Sequence, residues 1–406
     1  MFYFFYYVPV GINAPLRRTP FLTYTYTGLC VLVFVLNRFF AGYIPFDFYR
    51  LIYSPFDGSL VTAVTAAFLH FGYVHLIGNL VYLLLIGRYV EDRLGPVLFS
   101  IVFLVSAGLG NVLQGVFNTH VLNDPYVGIV GASGAVSGLL GAAAVRFFYS
   151  KLRIAYWVFL PLQAYTRAGR SEMPVVFAIA LWFVLQVARG SIQVGGFGTQ
   201  VAYVTHIAGF LLGAGLAAVT GQYTEGRVDA MLRRAAKYMT KGQGYAAQGE
   251  YIRYVAHRPD DADAHAALAR AMILTKDHHG ARKYYRRACE LLLGQMRRGD
   301  CETVYQEALR GFEDFTLSPE HHIKLAFGLE RNLKPKLAVT AYETFARRYP
   351  KHSESPLALL RAAGLYLQTF TDTRRADECY RRLIEDYPDD VWVDFAREQR
   401  RQLGSC

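Results

Sequence analysis

The sequence predicts an all-α chain in two parts, a six-helix transmembrane bundle followed by a soluble α-helical repeat domain. Three observations predict it. Residues 1–220 contain six long apolar stretches. They hold only 12 Lys+Arg and 6 Asp+Glu, against 31 and 26 in the remainder. The C-terminal part repeats an aromatic and Ala-rich helix that ends in proline. The expected divisions are a cytosolic N-terminal segment over 1–20, the bundle over 21–220, a linker over 221–240 and the repeats over 241–406.

A hydrocarbon core of about 30 Å takes roughly 20 residues of helix. The stretches near 21–40, 71–87, 97–117, 128–149, 174–190 and 201–220 meet that need, and six such segments cannot all be buried within 220 residues. The stretch 153–173 is apolar but short and broken by Pro161, which predicts an interfacial segment or one packed against the bundle.

Lys/Arg placement orients the spans, because cytosolic loops carry the positive excess. With the N-terminus inside, the inner segments carry nine Lys/Arg, and the outer loops carry three, Arg38, Arg50 and Arg189. Both termini are then expected in the cytosol, in a multi-pass protein of a bacterial inner (cell) membrane. The same distribution explains much of the formal net charge of +11, and no basic motif points to nucleic acid. No cleavable signal peptide is evident, since a long span without a small-residue cleavage site follows Arg17 and Arg18. Cys30, Cys289, Cys301, Cys379 and Cys406 form no CxxC pair and read as reduced, mostly buried thiols.

Polar side chains inside spans are costly and suggest function. Three spans carry them at similar depth, in their outer parts: His70, His75 and Asn79 in the second, Ser133 in the fourth, His206 in the sixth. His75 and Asn79 are four residues apart and share a helix face. Ser133 lies among Gly131, Gly134, Gly138 and Gly141, and His206 precedes Gly209 and Gly213. Small residues let transmembrane backbones approach closely. The set supplies a hydroxyl, a base and donors for an oxyanion, as acyl transfer needs. No Asp or Glu stands where it would orient His206, so a two-residue pair is the simpler assignment. His70 reads as interfacial or structural. A zinc site would ask for three His/Asp/Glu ligands, and Asn79 and Ser133 are poor choices for that. A transporter would be expected to show broken helices or charges near the midplane, and no such charges are seen.

Five segments in order carry a resemblance: "YRLIYSPF" (49–56), "HFGYVHLIGN" (70–79), "GRYVEDRLG" (87–95), "GASG" (131–134) and "THIAGFLLG" (205–213). Over residues 20 to 220 the chain resembles the rhomboid intramembrane serine proteases. The resemblance implies Ser133 as nucleophile and His206 as general base. It implies His75, Asn79 and the Ser133 backbone N–H as oxyanion donors, and Arg50 and Glu91 as structural partners that fix the first outer loop. It further implies cleavage of transmembrane segments of other membrane proteins, in the lipid bilayer, with no cofactor and no metal. Tyr49 stands where tryptophan is commoner, Thr205 replaces the usual alanine before the histidine, and Ser137 stands where some members place an aromatic. The alternative is a catalytically silent relative that uses the same fold to hold client helices. Gly195, Gly196 and Gly198 read either as a mobile lid before the sixth span or as an ordinary connector.

Beyond residue 225, Pro259, Pro350 and Pro388 each close an amphipathic helix. Pro350 and Pro388 are 38 residues apart, and Tyr342 and Tyr380 share that offset. A period of this size indicates stacked helical hairpins. The pattern resembles tetratricopeptide repeats (TPR), which implies a protein partner for this part. His278 and His279 are adjacent, point apart on a helix, and make a poor ligand pair.

Overall fold

A computed structural model of the chain describes residues 4–41, 43, 47–160, 165–194 and 202–404. Two compact units divide at Ala230/Met231. Gly195, Gly196, Gly198, Pro161 and Cys406 lie outside the described residues.

In the first unit, β1 (Phe4–Ile12) precedes α1 (Phe21–Phe39), and a short α2 (Leu60–Thr65) follows an outer connection. Next, α3 (Tyr73–Tyr82) passes through a π turn over Leu83–Gly87 into α4 (Arg88–Leu94). Then come α5 (Pro96–His120) and α6 (Ser133–Arg146). β2 (Lys151–Leu160) and β3 (Tyr165–Pro174) precede α7 (Val175–Val194) and α8 (Tyr203–Val219). Helices therefore occupy all six predicted stretches. Among the described residues three runs are by themselves long and apolar enough to span: Phe21–Phe39, Tyr73–Leu94 and Pro96–His120. Helix α6 has 14 residues, about 21 Å at 1.5 Å per residue, and is too short to cross alone. The predicted span over 128–149 is helical only from Ser133 onward.

The stretch 153–173, expected as an interfacial or packed segment, is strand over its described residues. They form most of a β2–β3 antiparallel pair, with β1 on the other edge of β2, in the order β1-β2-β3. The fold is mostly helical, as expected, with this one three-stranded sheet added. In the register Gly169 faces Tyr156, and a Cβ at Gly169 would lie 2.6 Å from the Tyr156 hydroxyl. The Asn13 N–H donates to the Lys151 carbonyl at 2.7 Å, so the sheet joins the segment before α1 to the segment after α6.

The core between the helices is built from Phe99, Phe103, Leu83, Leu139 and neighbours, with Tyr26 stacked on Phe99 and tilted on Phe103. Glu91 and Asp92, both buried, organise the start of α1. Glu91 accepts from the Leu22 and Thr23 N–H groups at 2.8 and 2.7 Å and from the Thr23 hydroxyl at 2.7 Å. Asp92 accepts from the N–H groups of Arg17 and Arg18, both at 2.7 Å. First-turn N–H groups lack intrahelical acceptors, and a carboxylate there also complements the helix dipole.

After α9 (Gln222–Thr240), the second unit is a run of helices. These are α10 (Gly244–His257), α11 (Ala262–Leu274), α12 (His278–Gly294), α13 (Arg298–Gly311) and α14 (Pro319–Arg331). The run continues with α15 (Pro335–Arg348), α16 (Ser355–Leu365), α17 (Thr373–Asp386) and α18 (Val393–Gly404). Pro259, Pro350 and Pro388 each fall two residues past a helix end, where proline disfavours continuation by the residue before it. Tyr342 and Tyr380, the periodic pair, are both buried. Cys30, Cys289, Cys301 and Cys379 are free, buried thiols.

Candidate functional site

Ser133 is the first residue of α6. The chain reaches it through an extended segment that turns at Gly131, whose φ of +110° suits glycine alone. Backbone bonds pin the approach. Tyr53 and Ile129 exchange two of them, at 3.2 and 2.8 Å, and the Gly131 N–H donates to the Ala66 carbonyl at 2.8 Å. The Ala132 N–H donates to His70 Nε2 at 3.4 Å. His70 is 1% exposed. Its place is inside the protein, where it holds the segment leading to Ser133.

His75 rests on the same turn. A Cβ at Gly131 would lie 2.6 Å from His75 Nε2 and 3.7 Å from Asn79 Nδ2. The missing side chain is what lets both polar groups of α3 approach the segment leading to Ser133. Asn79 is buried and donates through Nδ2 to the His75 carbonyl at 3.0 Å, which engages one of its two amide hydrogens. The His70 and His75 rings meet edge-to-face, 5.1 Å between centroids.

His206 is positioned from α5. Gln114 Oε1 accepts from the Val204 and Thr205 N–H groups at 3.0 and 3.2 Å, capping the first turn of α8, and its Nε2 donates to Asn118 Oδ1 at 2.7 Å. A side chain from a neighbouring helix thus does the work a local N-cap residue does elsewhere. Thr205 is buried between two glycines: Cβ atoms at Gly110 and Gly134 would lie 3.3 and 2.6 Å from its Cγ2. Its methyl fills the space between α5 and α6.

The α6–α8 contact is backbone on backbone. A Cβ at Gly209 would collide with the Gly134 carbonyl, one at Gly213 with the Gly138 carbonyl, and one at Gly141 with the Phe210 carbonyl. Ser133 is the neighbour of Gly134, and His206 follows Thr205 and stands one turn before Gly209. The nucleophile and base candidates therefore stand beside the first of these contacts, Gly209 against Gly134. The Ser137 hydroxyl donates to the Ser133 carbonyl at 2.7 Å, a backbone bond in place of an aromatic contact. The ring beside His206 comes from Tyr203 instead, edge-to-face at 6.1 Å.

Arg50 and Glu91 are not brought together. Arg50 lies 3.9 Å from Asp47, and its side chain is 83% exposed, while the Glu91 carboxylate is buried at the start of α1. The expected pair is replaced by two separate roles, because Glu91 sits at the far end of the helical run that begins at Tyr73. Gln186 Oε1 lies 3.0 Å from His206 Nδ1; Gln186, Gln114 and Tyr203 contribute to the site without having been assigned to it from sequence. For the two glutamines the available signal was a strongly polar residue within an apolar helix.

The Rhomboid domain family model matches residues 57–223. The putative rhomboid protease YdcA of Bacillus subtilis (strain 168) is 30% identical over 138 residues, covering 32% of this chain and 67% of that protein. The chain belongs to the rhomboid family. Rhomboid-like protease 3 of Toxoplasma gondii is 30% identical over 170 residues, 41% of this chain and 54% of its own. The rhomboid match thus spans about half the length of that relative, and less of RHOMBOID-like proteins 6 and 1 of Arabidopsis thaliana, at 24% and 18%. Within the second unit a tetratricopeptide repeat model matches residues 357–390, covering α16 and α17. A solved structure described as YrrB, a TPR protein with an unusual peptide-binding site, aligns with 45% of this chain and 98% of its own at 15% identity and a TM-score of 0.21. The two family models make the chain a rhomboid domain followed by TPR-like repeats.

Proposed function

We propose that the chain is an intramembrane serine endopeptidase acting on transmembrane segments of membrane proteins. Ser133 is the nucleophile and His206 the general base. Ser133 Oγ attacks the scissile carbonyl while His206 accepts its proton and then gives it to the leaving amine. The Ser133 N–H, His75 and Asn79 face the developing oxyanion. Water then hydrolyses the acyl-enzyme with His206 again as base. The substrate segment must be locally unwound, because an intact helix keeps its carbonyls in hydrogen bonds.

The observation that supports this most is the glycine contact of α6 with α8, flanked by Ser133 on one helix and His206 on the other. His75 resting on Gly131, two residues before Ser133, adds the third group. A helix beginning at Ser133 also accounts for a site below the membrane surface. In this reading both termini face the cytosol, the site opens to the outer side of a bacterial inner membrane, and the repeats bind a protein partner.

Co-expression with a tagged single-span substrate tests the proposal. Wild type should cleave, whereas Ser133→Ala and His206→Ala should not. Cleavage that survives Ser133→Ala removes the assignment. An inserted, folded wild type that cleaves no such substrate and resists a fluorophosphonate would favour a silent scaffold.

A further inference from the structure

Among the described residues no carboxylate orients the His206 imidazole, yet the imidazole is held. His206 Nδ1 lies 3.0 Å from Gln186 Oε1, on α7. An amide oxygen only accepts, so Nδ1 carries the proton. A neutral imidazole protonated at Nδ1 presents Nε2 as a bare acceptor, and that is the form able to take a proton from a serine hydroxyl.

The contact belongs to a fixed register rather than to a chance side-chain reach. Trp182 and Phe183 precede Gln186 by four and three residues and share its helix face. Both meet Phe210, four residues after His206, with ring centroids at 6.1 and 4.7 Å. One turn of α7 against α8 is therefore an aromatic clamp, and the next turn is the Gln186–His206 bond. Among the described residues no Asp or Glu hydrogen-bonds His206. A neutral amide fits this setting, since a carboxylate at bilayer depth would carry a solvation cost of a few kcal/mol.

We propose that Gln186 is a positioning residue that fixes the tautomer and ring orientation of His206. The proposal rests on the Ser133/His206 reading, and in it Gln186 takes the orienting part that an acidic third member plays in soluble serine hydrolases. It predicts that α7 is a working part of the site and not only its wall.

The test uses the full chain in nanodiscs, with single-span substrate cleavage and solid-state 15N NMR of histidine-labelled protein. Gln186→Met keeps the volume and removes the acceptor. It should lower kcat by roughly 10- to 100-fold, a part of the 10²–10⁴ that a positioned base supplies, with KM within about twofold. Gln186→Glu restores an acceptor and should recover most of the lost kcat. In wild type, His206 should give one Nδ1-protonated signal, and Gln186→Met should give a mixture of tautomers. Wild-type kcat and a wild-type spectrum in a folded Gln186→Met protein would overturn the positioning role while leaving the dyad standing. A wild-type spectrum protonated at Nε2 would overturn it as well. Cleavage surviving in Ser133→Ala would overturn the dyad itself, whatever the spectra show.

Discussion

The Arg146 guanidinium donates a 2.6 Å hydrogen bond to Asp229 Oδ2, and neither side chain is more than 11% exposed. Asp229 also accepts from Arg17 at 3.0 Å and lies 3.9 Å from Arg93. Burial opposes ionisation of Asp229, but the bond and charge of Arg146, with Arg17, outweigh it and hold the carboxyl below its usual range. Asp229→Ala should therefore cost about 3–5 kcal/mol, because a buried arginine loses its acidic partner. Thermal unfolding in detergent reads this directly. Truncation after residue 225 should destabilise the first unit as Asp229→Ala does, whereas truncation after Thr240 should not.

Gly213 should tolerate no side chain. A Cβ there collides with the Gly138 carbonyl, and backbone atoms cannot rotate away as a side chain can. Gly213→Ala should cost about 1–3 kcal/mol as an overpacked contact. A displacement of about 1 Å at the site lowers rate by on the order of 100-fold, so cleavage should fall further than stability. Fluorophosphonate labelling rate compared with the unfolding midpoint separates the two effects. Equal losses in both would mean that the α6–α8 spacing does not matter to the chemistry.

Most of the helical plan was legible because apolar length is a local signal. The stretches 21–40 and 97–117 correspond to Phe21–Phe39 and Pro96–His120 within a few residues. The fourth stretch was overdrawn at its start, because hydropathy continues through Ile129 and Val130 while Gly131 at positive φ delays the helix. The sheet was missed for a different reason. β2 pairs with β1 across some 140 residues of sequence, and its apolar run "IAYWVFL" has no alternation that would separate strand from helix. Within the site, the GASG turn and the two histidine motifs were visible as motifs, but the Gln186–His206 contact joins residues on different helices. Arg50 and Glu91 went wrong together, since a pairing carried over from a family is not a contact in this chain.

Those two residues make a paired prediction. Glu91→Ala strips the acceptor from two N–H groups and a hydroxyl at the start of α1, and hydrogen bonds to a charged group are worth about 1.5–3 kcal/mol each where buried. A loss of about 3 kcal/mol or more in the unfolding free energy is expected. Arg50→Ala removes an 83% exposed side chain near Asp47 and should change stability by less than about 0.5 kcal/mol. If both variants lost stability equally, and the double variant no more than either, the two would be acting as one pair after all.

The repeat unit should carry its own pH dependence through His322. This side chain is fully buried; its Nδ1 accepts from the Leu317 N–H at 3.2 Å, and its Nε2 lies 3.0 Å from the Ala341 carbonyl, to which it donates. Burial lowers its pKa from 6.5 to about 4, against the opposing pull of the Ala341 bond. Between those two values the unfolded chain binds a proton that the folded one excludes. Stability from this group is therefore full above about pH 6.5 and is lost as the pH falls toward 4, by about 1.4 kcal/mol per unit and about 3 kcal/mol in all. Urea unfolding of residues 222–404 at pH 7.5, 6.0 and 5.0 measures the slope. His322→Gln should be less stable at pH 7.5 yet lose less on acidification, so the two curves converge. Curves that stay parallel over this range would assign the acid sensitivity to other groups.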